Sequence, residues 1–170
     1  MVSKRRPQIL FVCTGNIFRS LSAEFGMRAA DTGGDYMFAS AGTATKLRRN
    51  LRSDVTDANA AYGLDATIHE SRPLTQDIVD NADLIVAMDE THQKHIRDIF
   101  NRHAPLFLEI SRGTPEGIPD LPDIIPDYKD RPDAARIYVR QAVDIIMAER
   151  PCFIANLPAF VPGGRRPARP

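Results

Sequence analysis

Ile9-Leu10-Phe11-Val12-Cys13-Thr14-Gly15-Asn16-Ile17-Phe18-Arg19-Ser20 is the stretch from which the fold is read. Its first four residues form an unbroken apolar run, the pattern of a short strand buried on both faces. Leu21 to Ala30 follow with the spacing of an amphipathic helix. Cys13 therefore stands where a strand ends and a helix is about to begin. The first turn of a helix carries amide N–H groups without intrahelical partners, and together with loop amides these make a site for an anion. A phosphate suits that place, and a thiolate is favoured by the same field. Gly15 is expected to supply a turn at positive φ and a close backbone approach to the ligand. Arg19, six residues after the cysteine, offers a planar fork for two phosphate oxygens. A buried thiol that merely closes a core strand is the plain alternative. It gives no reason for Gly, Asn, Arg and Ser to surround the cysteine.

Length and charge narrow the possibilities. A chain of 170 residues is most simply one domain with a sizeable core. Lys plus Arg and Asp plus Glu number 22 each, so no net field points to nucleic acid, and partners have to be read from sites. The two cysteines, Cys13 and Cys152, make no disulfide framework. A thiol used as a nucleophile needs a reducing compartment, so a soluble, cytoplasmic protein is expected. The apolar run behind the basic Met1–Pro7 is too short for a signal peptide, and no stretch approaches the roughly 18 apolar residues of a membrane span.

Outward from the opening stretch, Asp31-Thr32-Gly33-Gly34-Asp35 is a turn cluster, and Tyr36 to Gly42 is a second strand ending in Ser40-Ala41-Gly42. Thr43 to Arg52 is basic and lacks apolar periodicity. It reads either as a solvated loop or as a rim that attracts an anionic substrate. Ser53-Asp54 offers a cap for a helix to about Tyr62, which Gly63 stops. A short helix at Thr75–Asp80, an apolar strand at Asp83–Met88 and a helix from Asp89-Glu90 to Phe100 follow. Pro105–Ile110 is a plausible fourth strand. Residues 111–132 are loop-like and rich in Pro and Asp, and Asp130 and Asp133 are placed to begin the last helix. The domain is expected to span 1–160, with 161–170 a mobile tail. Strands alternating with helices imply an α/β fold: a single doubly wound domain, with a four-stranded parallel sheet and helices on both faces. Its ligand site would lie beyond the carboxyl ends of the strands, where Cys13 is.

The string Val12-Cys13-Thr14-Gly15-Asn16-Ile17-Phe18-Arg19-Ser20 resembles the phosphate-binding loop of the low-molecular-weight protein tyrosine phosphatases. Ser40-Ala41-Gly42-Thr43, and Leu74-Thr75 with Ala82 to Glu90, are similar to further segments of that family. The resemblance implies a metal-free hydrolase of phosphotyrosine or aryl phosphate monoesters that needs no cofactor. Cys13 would be the nucleophile and would pass through a cysteinyl-phosphate. Thr14, Gly15, Asn16, Ile17, Phe18, Arg19 and Ser20 would cradle the phosphoryl group. Asn16, Ser20, Ser40 and His69 match positions of a hydrogen-bond network behind that loop. The family's proton donor lies in an Asp-Pro-Tyr motif before the last helix. Pro126-Asp127-Tyr128 matches it best, which makes Asp127 the expected acid, with Asp123 and then Asp120 as alternatives.

Three positions depart from the family pattern. Phe18 stands where many members carry a second loop cysteine, Leu21 replaces a proline, and Lys46 falls near an aromatic position of the substrate cleft. Two other activities are compatible with the loop. One is a thiol-dependent arsenate reductase, for which only Cys152 could relay oxidation. The other is a phosphate-dependent binding module that has lost its acid.

Overall fold

The computed structural model describes residues 5–162. Its order is β1 (Gln8–Cys13), α1 (Arg19–Ala30), β2 (Met37–Gly42), α2 (Ser53–Ala60), α3 (Gln76–Asn81), β3 (Leu84–Ala87), α4 (Glu90–Phe100), α5 (Phe107–Arg112), α6 (Leu121–Ile124), α7 (Pro132–Ala148) and α8 (Arg150–Asn156). β1 is the middle strand of a parallel sheet ordered β2-β1-β3. Cys13 pairs with Gly42 on one side, and Val12 with Ala87 on the other. Chain direction across the sheet reverses at β1, so the switch point at which such folds hold ligands is the end of this strand.

The period of two along β1 divides the core. Ile9, Phe11 and Cys13 face a layer that includes Leu21, Met27, Val139, Ile146 and Phe153, whereas Leu10 and Val12 face Ala41, Val79, Ile85 and Ile96. Phe11 anchors the first layer, with ring centroids 5.6 to 6.3 Å from Phe38, Phe107 and Phe153. Burying one such aromatic contributes on the order of 1.5–3 kcal/mol. α1 is enclosed by these layers and is buried from Arg19 through Glu24 on every face, so it is not amphipathic in its first turns. No described helix is long and apolar enough to cross a membrane.

The sheet has three strands instead of four. At Pro105–Ile110 only Leu106 bridges to Ala87, with Ala87 N–H donating to Pro105 O. Glu109 then accepts from the amide of Leu106 (3.1 Å) and turns the chain into α5. The apolar residues 106–108 and 110 are buried all the same, which is why a strand and a buried helix cannot be told apart there by composition. Other boundaries shift too. Arg52 precedes α2 and Arg131 precedes α7, neither giving a side-chain cap, and α6 interrupts the Pro-Asp loop. Pro151 stands in the first turn of α8, where its missing N–H is not needed. Val161 is 7% exposed and packs against the core, so the body continues past residue 160. Residues 163–170, most of the expected tail, lie outside the described residues.

Candidate active site

The loop between β1 and α1 is pinned from below. Asn16, not Gly15, occupies the left-handed region (φ 52°). Its side chain makes that conformation sustainable, because Nδ2 donates to Ser20 Oγ (2.9 Å) and Ser40 Oγ (2.8 Å) while Oδ1 accepts from Arg72 N–H (2.9 Å). His69 Nε2 lies 2.7 Å from Asn16 O and donates to it. Ser40 donates onward to Glu24 (2.5 Å), which is paired with Arg28. Ser20 Oγ, which accepts from Asn16, lies 3.0 Å from Cys13 Sγ, where its proton can reach a thiolate. The end of β2 closes against this loop: a Cβ on Gly42 would come within 2.6 Å of Thr14 O, so only glycine fits.

Arg19 is 1% exposed. Nη1 donates to Asp89 Oδ2 (2.6 Å) and Ile118 O (2.8 Å), and Nη2 pairs with Asp120 Oδ2 (2.9 Å). Nε is buried and has no partner among the described residues. The edge formed by Nε and Nη2 can grip a phosphate with two parallel bonds, and here its Nε donor is open. Burial works against the guanidinium charge, but Cys13, Asp120 and Asp89 outweigh it and raise the Arg19 pKa above its ordinary value. Asp89 caps α4 from the end of β3 and accepts from the amides of Thr91 (2.9 Å) and His92 (3.2 Å). Burial opposes its ionisation, yet His92 and then Arg19 hold its carboxyl well below the usual carboxylate range. His92, 1% exposed, lies 2.9 Å from Asp89 Oδ1 through Nδ1 and 2.9 Å from Thr14 Oγ1 through Nε2. Arg19 Nη2 lies 3.5 Å from Thr14 Oγ1, which closes a polar ring of Asp89, Arg19, Thr14 and His92.

Of the three Pro-Asp carboxylates, the structure places Asp120 at the cavity. Its backbone approach is fixed by Ile118 N–H to Met88 O (2.8 Å), Arg19 to Ile118 O, and Tyr138 Oη–H to Pro119 O (2.6 Å). Gly117 lets this segment pass Asp89, where a Cβ would meet the Asp89 backbone at 2.7 Å. Asp123 accepts from the Asp120 amide and serves α6. Asp127 does not reach the cavity. It sits at the tip of a turn closed by Tyr128 N–H to Ile125 O, with its side chain 57% exposed and 3.6 Å from Arg131.

The cavity, about 160 Å³, is lined by the loop from Cys13 to Arg19 and walled by Val55, Leu121, Pro122, Tyr128 and Val139, with Arg49 and Arg52 at its mouth. The aromatic wall comes from Tyr128. Arg52 lies over its ring (5.1 Å) and is itself held by Asp54 (Nε to Oδ1 3.0 Å). Lys46 is exposed and lines a neighbouring depression instead. No second cysteine lines the cavity, and Cys152 is exposed on α8. Sequence reasoning passed over Asp89, His92, Glu24 and Tyr138. Asp89 was recoverable, because β3 lies parallel to β1 and the residue capping the next helix must end beside the loop.

A family model described as low molecular weight phosphotyrosine protein phosphatase matches residues 8–144, and the chain belongs to that family. Among curated relatives, the chain is 34% identical over 97 residues to a protein-arginine-phosphatase of Bacillus subtilis, covering 56% of this chain and 64% of that one. It is 36% identical over 92 residues to the low molecular weight protein-tyrosine-phosphatase Etp of Escherichia coli, covering 54% and 61%. The chain thus spans less than two thirds of the length of these relatives. The YwlE arginine phosphatase of Geobacillus stearothermophilus superposes with a TM-score of 0.75 at 24% identity, covering 90% of this chain and 94% of that one, a likeness of fold.

Proposed function

We propose that this chain hydrolyses phosphotyrosine in proteins or small aryl phosphates through a cysteinyl-phosphate, with Asp120 as the proton donor. The observation that carries the reading is the convergence of Cys13 Sγ, the open Nε donor of Arg19 and the Asp120 carboxylate on one small cavity with apolar walls. The phosphoryl group takes the Nε and Nη2 donors of Arg19, together with the loop and helix amides, and so competes with Asp120 for Nη2. Asp120, released from Arg19 and protonated by solvent, then faces the leaving oxygen. As the S–P bond forms and the P–O bond breaks, the Asp120 proton passes to the phenolate. In the second step Asp120 takes a proton from water, whose oxygen attacks phosphorus and restores the thiolate. Ser20 and the ring of Asp89, His92 and Thr14 hold the nucleophile and the guanidinium in place.

Arginine phosphatases among the relatives raise a second substrate, and the cavity argues against it. Phosphoarginine carries a guanidinium next to its phosphorus, and here the mouth presents Arg49 and Arg52 with no carboxylate on the walls other than Asp120. Tyr128, Val55 and Leu121 suit a phenyl ring instead. An arsenate reductase would need a second thiol at the cavity, and Cys152 on α8 is not part of its lining. A free thiol nucleophile fits a reducing compartment, and we propose the cytoplasm as that compartment. The test is twofold. Rapid quench with an aryl phosphate, followed by mass spectrometry, should find a phosphoryl adduct on Cys13, and kcat/KM for a phosphotyrosine peptide should exceed that for its phosphoarginine counterpart. Turnover without an adduct, or the reverse preference, refutes the corresponding half of the proposal.

A further inference from the structure

The basic loop 43–52 has no regular structure, yet it is firmly built. Arg48 lies at φ 57°, a conformation that a residue with a Cβ adopts only when its surroundings impose it. The imposing group is Ser71, which is fully buried. Arg48 N–H donates to Ser71 O (3.0 Å), Arg49 N–H donates to Ser71 Oγ (2.7 Å), and Ser71 Oγ–H donates to Lys46 O (3.1 Å). The backbone is thereby buckled around a buried serine, and Lys46, Arg48 and Arg49 are left exposed. A loop that served only to connect β2 with α2 would need neither the strain nor the anchor.

Three depressions meet at Arg49: the active cavity, a hollow of about 510 Å³ along Thr43–Lys46, and another of about 530 Å³ between Arg48–Leu51 and Thr67–Glu70. Glu70 is the sole acid on the walls of the two outer hollows, and it sits 3.5 Å from Arg48 with both side chains largely exposed. Among the described residues, no carboxylate is ion-paired with Lys46 or Arg49. His69, at the edge of the third hollow, also holds Asn16 O, so this surface is fastened to the phosphate loop.

We infer that the buckled loop is a docking surface for the acidic flank of a phosphorylated protein substrate. The segment beside the phosphorylated residue lies extended across Arg49, with its carboxylates against Lys46, Arg48 and Arg49. This rests on the proposed function and adds to it: the small cavity receives the phosphorylated side chain, and the outer hollows receive the neighbouring chain. Hollows of this size accommodate residues of an extended peptide, and a free aryl phosphate has no use for them.

The experiment uses two phosphotyrosine peptides of equal length, one with acidic and one with neutral residues around the phosphotyrosine, titrated by calorimetry into the Cys13→Ser variant. The acidic peptide should bind about 5- to 10-fold tighter at low ionic strength, as expected for two or three exposed ion pairs, and the advantage should shrink above about 0.3 M salt. Lys46→Ala and Arg48→Asn, the latter chosen because asparagine tolerates the left-handed conformation, should each cut that preference by about 2- to 3-fold. Placed in the otherwise wild-type enzyme, both should leave turnover of a small aryl phosphate unchanged. Equal affinity for the two peptides overturns the inference, and so does an equal loss for both in the variants. Turnover of the small aryl phosphate by the wild type reports on catalysis separately: acidic preference without turnover would support the docking surface and remove the proposed chemistry.

Discussion

Asn16 joins the two demands made of the phosphate loop, since it holds a left-handed backbone and orders the hydroxyl that faces the sulfur. Without that order Ser20 could point its proton elsewhere. A chain of bonds runs from Arg28 through Glu24, Ser40, Asn16 and Ser20 to Cys13. Ser20→Ala removes only the last link, and it should lower kcat by about 10²-fold with little change in KM, since the group acts on the nucleophile and not on the bound substrate. Steady-state kinetics on an aryl phosphate checks this; an effect confined to KM would place Ser20 in binding instead. Cys13, Arg19, Asn16 and Ser20 were legible because they lie on one short motif, whereas Ser40 and His69 were pointed to by the family resemblance and meet that motif only in the fold. Asp120 was not. Three carboxylates in a Pro-Asp repeat look alike, and the one at the cavity is selected by bonds to Arg19, Met88 and Tyr138 that come from distant parts of the chain.

Elements carry the rest of the site by their ends. The close of β3 delivers Asp89, which caps α4, anchors Arg19 and binds His92 at once. The folded-state pKa of Asp89 lies below the value of about 3.9 that it has in an unfolded chain. Its ionisation therefore stabilises the fold fully above that unfolded value, and the contribution is lost as pH falls toward the folded one. Chemical denaturation of wild type and Asp89→Asn should show a gap at pH 7 that narrows steadily below about pH 4. A gap independent of pH would mean that charge is not what Asp89 contributes. Strand and helix positions were mostly recoverable from apolar periodicity. The exceptions have two causes: Leu106, Phe107, Leu108 and Ile110 are buried, and so apolar, whether the segment is strand or helix, and the caps of α2 and α7 are supplied by no side chain. Tyr128 shows the same limit, because a single turn sends Asp127 to solvent and its neighbour to the cavity wall.

At the scale of the whole molecule, the order β2-β1-β3 brings three strand ends to one place, and everything chemical collects there. Membership of the phosphatase family fits that arrangement, and Phe18 fills the loop position before Arg19. With no other cysteine at the cavity, peroxide should carry Cys13 past the sulfenic acid to irreversible higher acids. Activity should then fail to return on treatment with a thiol reductant, and full recovery would reveal a disulfide partner. The most direct test of the central claim concerns the proton that must reach the leaving phenolate, whose conjugate acid has a pKa of about 10. Asp120→Asn should slow hydrolysis of a phosphotyrosine peptide by roughly 10² or more. Its effect should be far smaller on an aryl phosphate whose phenol is acidic, and Asp127→Asn should match wild type on both. Near-normal phosphotyrosine turnover in Asp120→Asn, or the leaving-group-dependent loss appearing in Asp127→Asn instead, would contradict the account.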